Sequence, residues 1–392
     1  MLTSLALVLL CGWGLGSVFR KLKVPGLIGM LIAGIVLGPY VLGLLDDSLL
    51  AVAPDLRQLA LIIILARAGL SLDLADLKAI GRPAVLMSFV PACFEMAGTL
   101  LLAPKLLGLP LLDAAILAAV IASASPAIIV PRMLKLMDAG YGTNKNIPQL
   151  ILSGDSVDDV FNIVVFSALI GLAGGERVSA LRFAVIPVSI VSGILVGVGV
   201  GFLLSLLFRQ LRLRDSAKVI ILLGTACLLV GLEGPLEGIL PFSGLLAVMT
   251  AGVLLLQRLP DAAKRLSTKL SKLWVGAEIV LFVLIGASVD IRYASATGLA
   301  TLALLAGILL MRAAGILLCL IKTNLNWRER FFCTLTGIPK ATVQAAIGGI
   351  PLALGLPNGE IILAVAVLTI LITAPLGAIC LDASYRRLLA RE

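Results

Sequence analysis

The sequence predicts an all-α polytopic membrane protein of about thirteen transmembrane helices, built as an inverted repeat with two broken helices. Three observations carry that expectation. The 392 residues are 60% hydrophobic and 14% charged, with a mean hydropathy of +1.14, a composition of bilayer-spanning helices rather than of a soluble domain. Apolar runs of about 20 residues, the length that crosses a hydrocarbon core, recur along the whole chain between charged loops. Segments separated by 217 or 218 residues also match one another over three spans.

In chain order the expected spans cover about 2–19, 25–45, 58–72, 83–104, 110–131, 148–173, 183–208, 219–232, 239–257, 273–289, 297–321, 331–355 and 360–383. The first run has neither a basic segment ahead of it nor a small-residue cleavage site, so it reads as a span rather than a signal peptide. Odd-numbered spans are followed by basic clusters such as Arg20/Lys21/Lys23, Lys78/Arg82, Arg209/Arg212/Arg214/Lys218 and Arg386/Arg387/Arg391. Even-numbered spans are followed by little more than Arg57, Lys105, Arg177, Arg182 and Arg292, with acids such as Asp46, Glu176, Glu237 and Glu360 among them. The positive-inside rule then places the N-terminus outside and the C-terminus in the cytoplasm, in a plasma or inner membrane. The net charge of +9 is mostly this topology signal, which argues against a nucleic-acid partner. The six cysteines fall in or beside apolar runs without paired spacing and read as small buried hydrophobes. No histidine is present, so any response to pH near neutrality rests on carboxylates or lysine.

The internal match sets Ile64–Leu74 against Leu281–Ile291, with Ser71 opposite Ser288 and Asp73 opposite Asp290. It also sets Leu31–Leu37 against Met249–Leu255 and Glu95 against Arg312. The shift is seven helices. An odd shift inverts one half relative to the other, as in many secondary transporters. The expected organisation is residues 1–175 as one repeat, 176–216 as a linker helix and 217–392 as the second repeat.

Span six, Ile147–Leu172, carries adjacent carboxylates, Asp158 and Asp159, near its middle. A charge at bilayer centre costs roughly 2.5–3.5 kcal/mol on insertion scales, so such residues are functional candidates by default. Two ionised neighbours repel, which makes the pair a candidate proton store. Adjacent helical positions point about 100° apart, so one aspartate is expected to face an aqueous cavity and the other the broken helices. Asp155, one turn earlier, reads as peripheral. Span five contains Pro126 and ends at Pro131, and span twelve contains Gly337, Pro339 and Lys340. Proline deletes a backbone donor and clashes with the preceding turn, so both helices should break within the membrane. Lys340 is placed to compensate facing helix ends, and Ser123 and Ser125 offer neutral oxygens to an ion. Glu95 and Arg312 are mid-span and should pair with each other or with the aspartates. Hard oxygen ligands suit a hard cation, and a site that holds either a cation or protons, but not both, couples opposing fluxes.

The combination of ASPAIIVP, DSVDD, PKATVQAAIG and RAGLSLD resembles the monovalent cation/proton antiporter superfamily, and within it the NHA (sodium/hydrogen exchanger, B-type) subgroup, over almost the whole chain. The resemblance implies a core domain and a dimerisation domain, two crossed broken helices, a homodimer and an elevator-like exchange of sodium or lithium for protons without a cofactor. Asp159 then looks like the main cation ligand and Asp158 its partner. Glu95 and Arg312 look like the subgroup's buried acid–base pair, and Lys340 like its lysine in the second broken helix. Ser125 stands where several relatives have an acid. Arg312, which cannot release its proton at physiological pH, stands where electrogenic relatives have lysine. Stoichiometry is therefore open. The rival readings are a sodium-coupled symporter of a small organic acid and a cation channel. An intramembrane aspartyl protease would need a second mid-membrane aspartate on another helix, so the chain does not read as an enzyme.

Overall fold

The computed structural model describes residues 1–72, 81–173, 180–211, 213–236 and 242–391. Asp73, Lys78, Glu176, Arg177, Arg212, Glu237 and the boundary at 175–176 lie outside the described residues. Apart from an isolated bridge between Tyr141 and Arg391, the regular structure described is helical. In order it comprises α1 (Leu2–Lys21), α2 (Gly26–Leu37), α3 (Asp47–Ala51), α4 (Ala53–Gly69), α5 (Arg82–Met87), α6 (Val90–Leu107), α7 (Leu111–Ile121), α8 (Pro126–Asp138) and α9 (Ile147–Ala173). There follow α10 (Ala180–Gln210), α11 (Asp215–Leu236), α12 (Gly244–Arg258), α13 (Pro260–Ala287), α14 (Ile291–Cys319), α15 (Trp327–Thr336), α16 (Thr342–Ile347), α17 (Ile350–Ala353) and α18 (Gly359–Leu388).

The expected spans overlap helices, but span two, expected over 25–45, is helical only over Gly26–Leu37, and 239–241 of span nine lie outside the described residues. Among the described residues nine stretches are long and apolar enough to cross a membrane, and Gly26–Leu37, Gly244–Arg258 and Thr342–Ala353 are apolar but shorter. The chain is therefore an integral membrane protein. It folds as two compact units, each discontinuous in sequence. One unit takes Met1–Pro54, Ala75–Ile163 and Ile279–Glu392, and the other takes Asp55–Leu74 and Val164–Glu278.

In the first unit α6 and α14 form the most extensive helix pair. Glu95 and Gly98 on α6 are matched, 217 residues on, by Arg312 and Gly315 on α14. Both glycines lie in the contact, Gly98 against Met311 and Gly315 against Pro91 and Phe94. Small residues at this spacing bring two backbones close without a hydrophobic driving force. Helices α2 and α13 come closer still. A Cβ added to Gly34 would lie 1.9 Å from the Val283 carbonyl oxygen, and one added to Gly286 would lie 2.3 Å from that of Leu31. In the second unit α10 packs on α12, and Gly69 lies against the Met249 backbone.

Two interruptions fall where proline predicts them. Helix α7 ends at Ile121 and α8 restarts at Pro126, and α15 ends at Thr336 while α16 restarts at Thr342. Pro126 is the first residue of its helix, where a missing N–H costs nothing. Two expectations are corrected. Pro131 does not end span five. It lies inside α8, which continues to Asp138, the loss of one backbone bond being tolerated there. Span four, expected to be continuous, is itself interrupted at Ser88–Phe89, just before Pro91. The cysteines are all free, but Cys93 and Cys227 are exposed rather than buried. In a membrane an outward-facing apolar position has lipid for a solvent, so hydrophobic sequence alone does not mark the interior.

Because Gly34 meets backbone that cannot move aside, Gly34→Val should destabilise the fold by about 1–3 kcal/mol or more. Thermal unfolding in detergent checks this, and a variant melting with the wild type would contradict the close approach.

Candidate functional site

Both interruptions lie in the first unit and meet each other. The backbone N–H of Ser125 donates to the Pro339 carbonyl at 2.9 Å, and the Ser125 and Thr342 hydroxyls are 3.1 Å apart. Gln344 Nε2 donates to the carbonyls of Ser123, at 2.8 Å, and Ile121, at 3.4 Å. The Lys340 N–H donates to Thr373 Oγ1 of α18 at 3.1 Å. Non-helical backbone persists at membrane depth only when protein satisfies it in this way. Beneath the crossing, Ile129, Met133, Ile151, Ile316 and Phe332 form an apolar core that fixes α8, α9, α14 and α15 together.

Four charged side chains form a buried network here. Glu95 and Lys340 are 0% exposed, Asp158 1% and Arg312 4%. Arg312 reaches Glu95 Oε2 through Nη1 at 3.0 Å and Asp158 Oδ2 through Nη2 at 2.7 Å. Lys340 Nζ lies 2.6 Å from the same Glu95 oxygen. Both cations also donate to the Ala122 carbonyl at the C-terminal end of α7, Lys340 at 3.4 Å. That end carries about half a negative charge, so the two cations compensate the helix terminus and the two acids at once. The expectations for Glu95, Arg312 and Lys340 meet in one cluster, and Arg312 pairs with both of its proposed partners.

The aspartates depart from expectation in orientation. Asp158 accepts from the Ala124 N–H at 3.2 Å and from Asn162 Nδ2 at 3.4 Å, and Asp159 accepts from the Ser123 hydroxyl. Both therefore address the same interruption, Ala122–Ser125. The angle of about 100° between neighbours separates their partners but not their targets, because an extended segment offers several groups along its length. Ser125 is likewise corrected. Its hydroxyl is engaged by Thr342, and Ser123 supplies the oxygen beside Asp159. Residues two apart in extended backbone point to the same side, so the spacing of the two serines does not by itself tell which one meets α9.

Asp155, read as peripheral, is 7% exposed and lines a cavity of about 20 Å³ with Asp158, Arg312 and Thr336. Its spacing of three and four residues from the pair places it on their side of the helix. That signal was present in the sequence.

Buried carboxylates gathered where two interrupted membrane helices meet define a transporter that works through ionisable side chains. The chain belongs to the sodium/hydrogen exchanger family: the family model described as "Sodium/hydrogen exchanger, transmembrane" matches residues 5–383. It is similar to sodium/hydrogen exchanger 9B2 of Mus musculus, 31% identical over 403 residues that cover 96% of this chain and 72% of that protein. The Homo sapiens 9B2 protein is 32% identical over 387 residues, covering 94% and 70%. The structure of the sodium proton antiporter MjNhaP1 from Methanocaldococcus jannaschii at pH 8 superposes with a TM-score of 0.86 at 21% identity, over 99% of this chain and 98% of that one. The fold is thus shared across nearly the entire chain.

Removing one partner of a buried ion pair costs about 3–5 kcal/mol, because the other charge is left uncompensated. Arg312→Gln should therefore lower the melting temperature markedly, and adding Asp158→Asn should restore part of it. Simple additivity of the two substitutions would contradict the network.

Proposed function

We propose that this protein exchanges sodium or lithium ions for protons across its membrane by alternating access, with Asp159 as the main cation ligand and Asp158, its neighbour on α9, holding Arg312 at the site. The observation that carries the reading is that Asp159 stands at the helix interruption with, among the described residues, the Ser123 hydroxyl as its neutral partner and no ion-pair partner. An ionised carboxylate with no cation of its own, buried in a membrane protein, is stable only when something positive arrives. A metal ion and a proton each satisfy it, and they exclude one another. Binding of one therefore displaces the other, which is the coupling that exchange requires. Ser125, Pro126 and Pro339 take part by shaping the crossing that presents Asp159. No cofactor is needed.

The contacts between repeat mates support an inverted duplication with units 1–175 and 217–392 joined by 176–216. Glu95 touches Arg312, and Ser125 touches Thr342, each pair 217 residues apart. Residues that meet their own counterparts lie on the symmetry axis relating the halves, and in such transporters the substrate site lies at that interface. The distribution of basic loops supports an outside N-terminus and a cytoplasmic C-terminus, in a plasma or inner membrane. Both compact units draw on both proposed repeats, as a moving core and a dimerisation domain of a homodimer would. Nothing in the family match favours the organic-acid symporter or the cation channel.

Purified protein in liposomes should move protons when sodium or lithium is added against a pH gradient, and Asp159→Asn should abolish that flux. Because protons compete for the same carboxylate, the apparent KM for sodium should rise as pH falls. Undiminished flux in Asp159→Asn, or a KM indifferent to pH, would contradict the assignment.

A further inference from the structure

Charge balance in the buried cluster separates its four carboxylates into two pairs. Glu95 and Asp158 are neutralised by Arg312 and Lys340, which are committed to them at 2.6–3.0 Å. Asp155 and Asp159 have no lysine or arginine within ion-pair distance among the described residues. Asp159 has Ser123, whereas Asp155 Oδ2 is buried with no hydrogen-bond partner at all. Glu95 Oε1 also lacks a partner, but Glu95 is neutralised through its other oxygen. Asp155 and Asp159 are four residues apart on the continuous helix α9, which puts their Cβ atoms about 5–6 Å from each other on one face.

Two cavities reinforce this placement. The one that Asp155 lines measures about 20 Å³, room for about one water molecule. About a turn away along the same two helices, Pro83 of α5 and Leu152 of α9 line a larger cavity of about 720 Å³. Met87 and Asp155 stand at the inner cavity in the corresponding positions. Along α9, Asp155 is thus the first carboxylate met between the larger cavity and the Asp158–Asp159 pair.

We propose that Asp155, rather than Asp158, is the second carboxylate of the transport site, acting with Asp159 on the transported cation while Asp158 anchors Arg312. No three carboxylates converge among the described residues, so Asp155 acts across the small cavity, and Ser123 and water complete the coordination. Asp155, buried, and Asp159, half-buried, are opposed by no protein cation among the described residues and leave two negative charges for the exchanged ions to balance. This rests on the exchange reading above and adds a specificity-determining residue to it.

Apparent KM and maximal rate for sodium and lithium in proteoliposomes, with melting temperatures in detergent with and without sodium, test the proposal. Asp155→Asn should raise KM about tenfold or more, since it removes a charge acting on the cation. It should melt no lower than the wild type without sodium, because an unpaired buried charge has been removed. It should also lose most of the sodium-induced rise in melting temperature. A structural role gives the opposite pattern, a lower melting temperature with unchanged KM. Asp155→Glu, which keeps the charge and moves it by one methylene, should keep exchange but alter the sodium-to-lithium preference. It decides the matter if Asp155→Asn fails to fold. KM values within about twofold of wild type and an unaltered preference would overturn the role of Asp155 alone. Absence of sodium-dependent proton flux in the wild type would overturn the exchange reading and this inference together.

Discussion

The bridge that Arg312 makes between Glu95 and Asp158, at the open end of α7, is the interaction on which the site depends. A guanidinium offers donors in a fixed fork and remains charged at any physiological pH. It therefore holds two carboxylates and a helix terminus at fixed positions. Lys340 completes the balance from the second interrupted helix through the same Glu95 oxygen. Four elements, α6, α9, α14 and the α15–α16 interruption, are joined by charges that would each be prohibitive alone in a membrane. With these charges satisfied, Asp155 and Asp159 are left without an ion-pair partner among the described residues, and they are the carboxylates proposed to exchange ions.

The interruptions follow from the same economy of partners. Breaking a helix within the membrane frees carbonyl and N–H groups that lipid cannot satisfy. Here those groups bond across the crossing, to Gln344, Thr373, Arg312, Lys340 and the opposing backbone. One of the freed groups, the Ala124 N–H, is taken up by Asp158. Tight glycine contacts such as Gly98 and Gly315 let α6 and α14 approach closely enough for Glu95 and Arg312 to meet. Sequence, packing and electrostatics thus bear on a single point of the fold.

Much of this was legible in the residues alone. Apolar runs located the helices because hydrophobic length is a direct physical requirement of the bilayer, and Pro126 and Pro339 located both interruptions because proline acts locally. The offset of 217 paired Glu95 with Arg312 before any geometry was available. What the sequence did not disclose depended on side-chain direction. Ser123 and Ser125 differ in the helix that each meets, α9 for one and the second interruption for the other. Cys93 and Cys227 lie outward because lipid and protein interior look alike in composition. At Ser88–Phe89 the preceding helix ends at Met87, the residue whose carbonyl the Pro91 ring would clash with, whereas Pro131 leaves its helix unbroken. Asp155 is legible from helical spacing, three and four residues before the double aspartate and on the same side of the helix.

The central claim is that cation and proton compete for carboxylates left unpaired by the Arg312–Lys340 network. Isothermal titration of sodium into the purified protein, repeated in buffers of different ionisation enthalpy, measures proton release on binding directly. The account predicts that sodium binding releases protons, seen as an apparent enthalpy that depends on the buffer. Sodium binding with no accompanying proton release would contradict it.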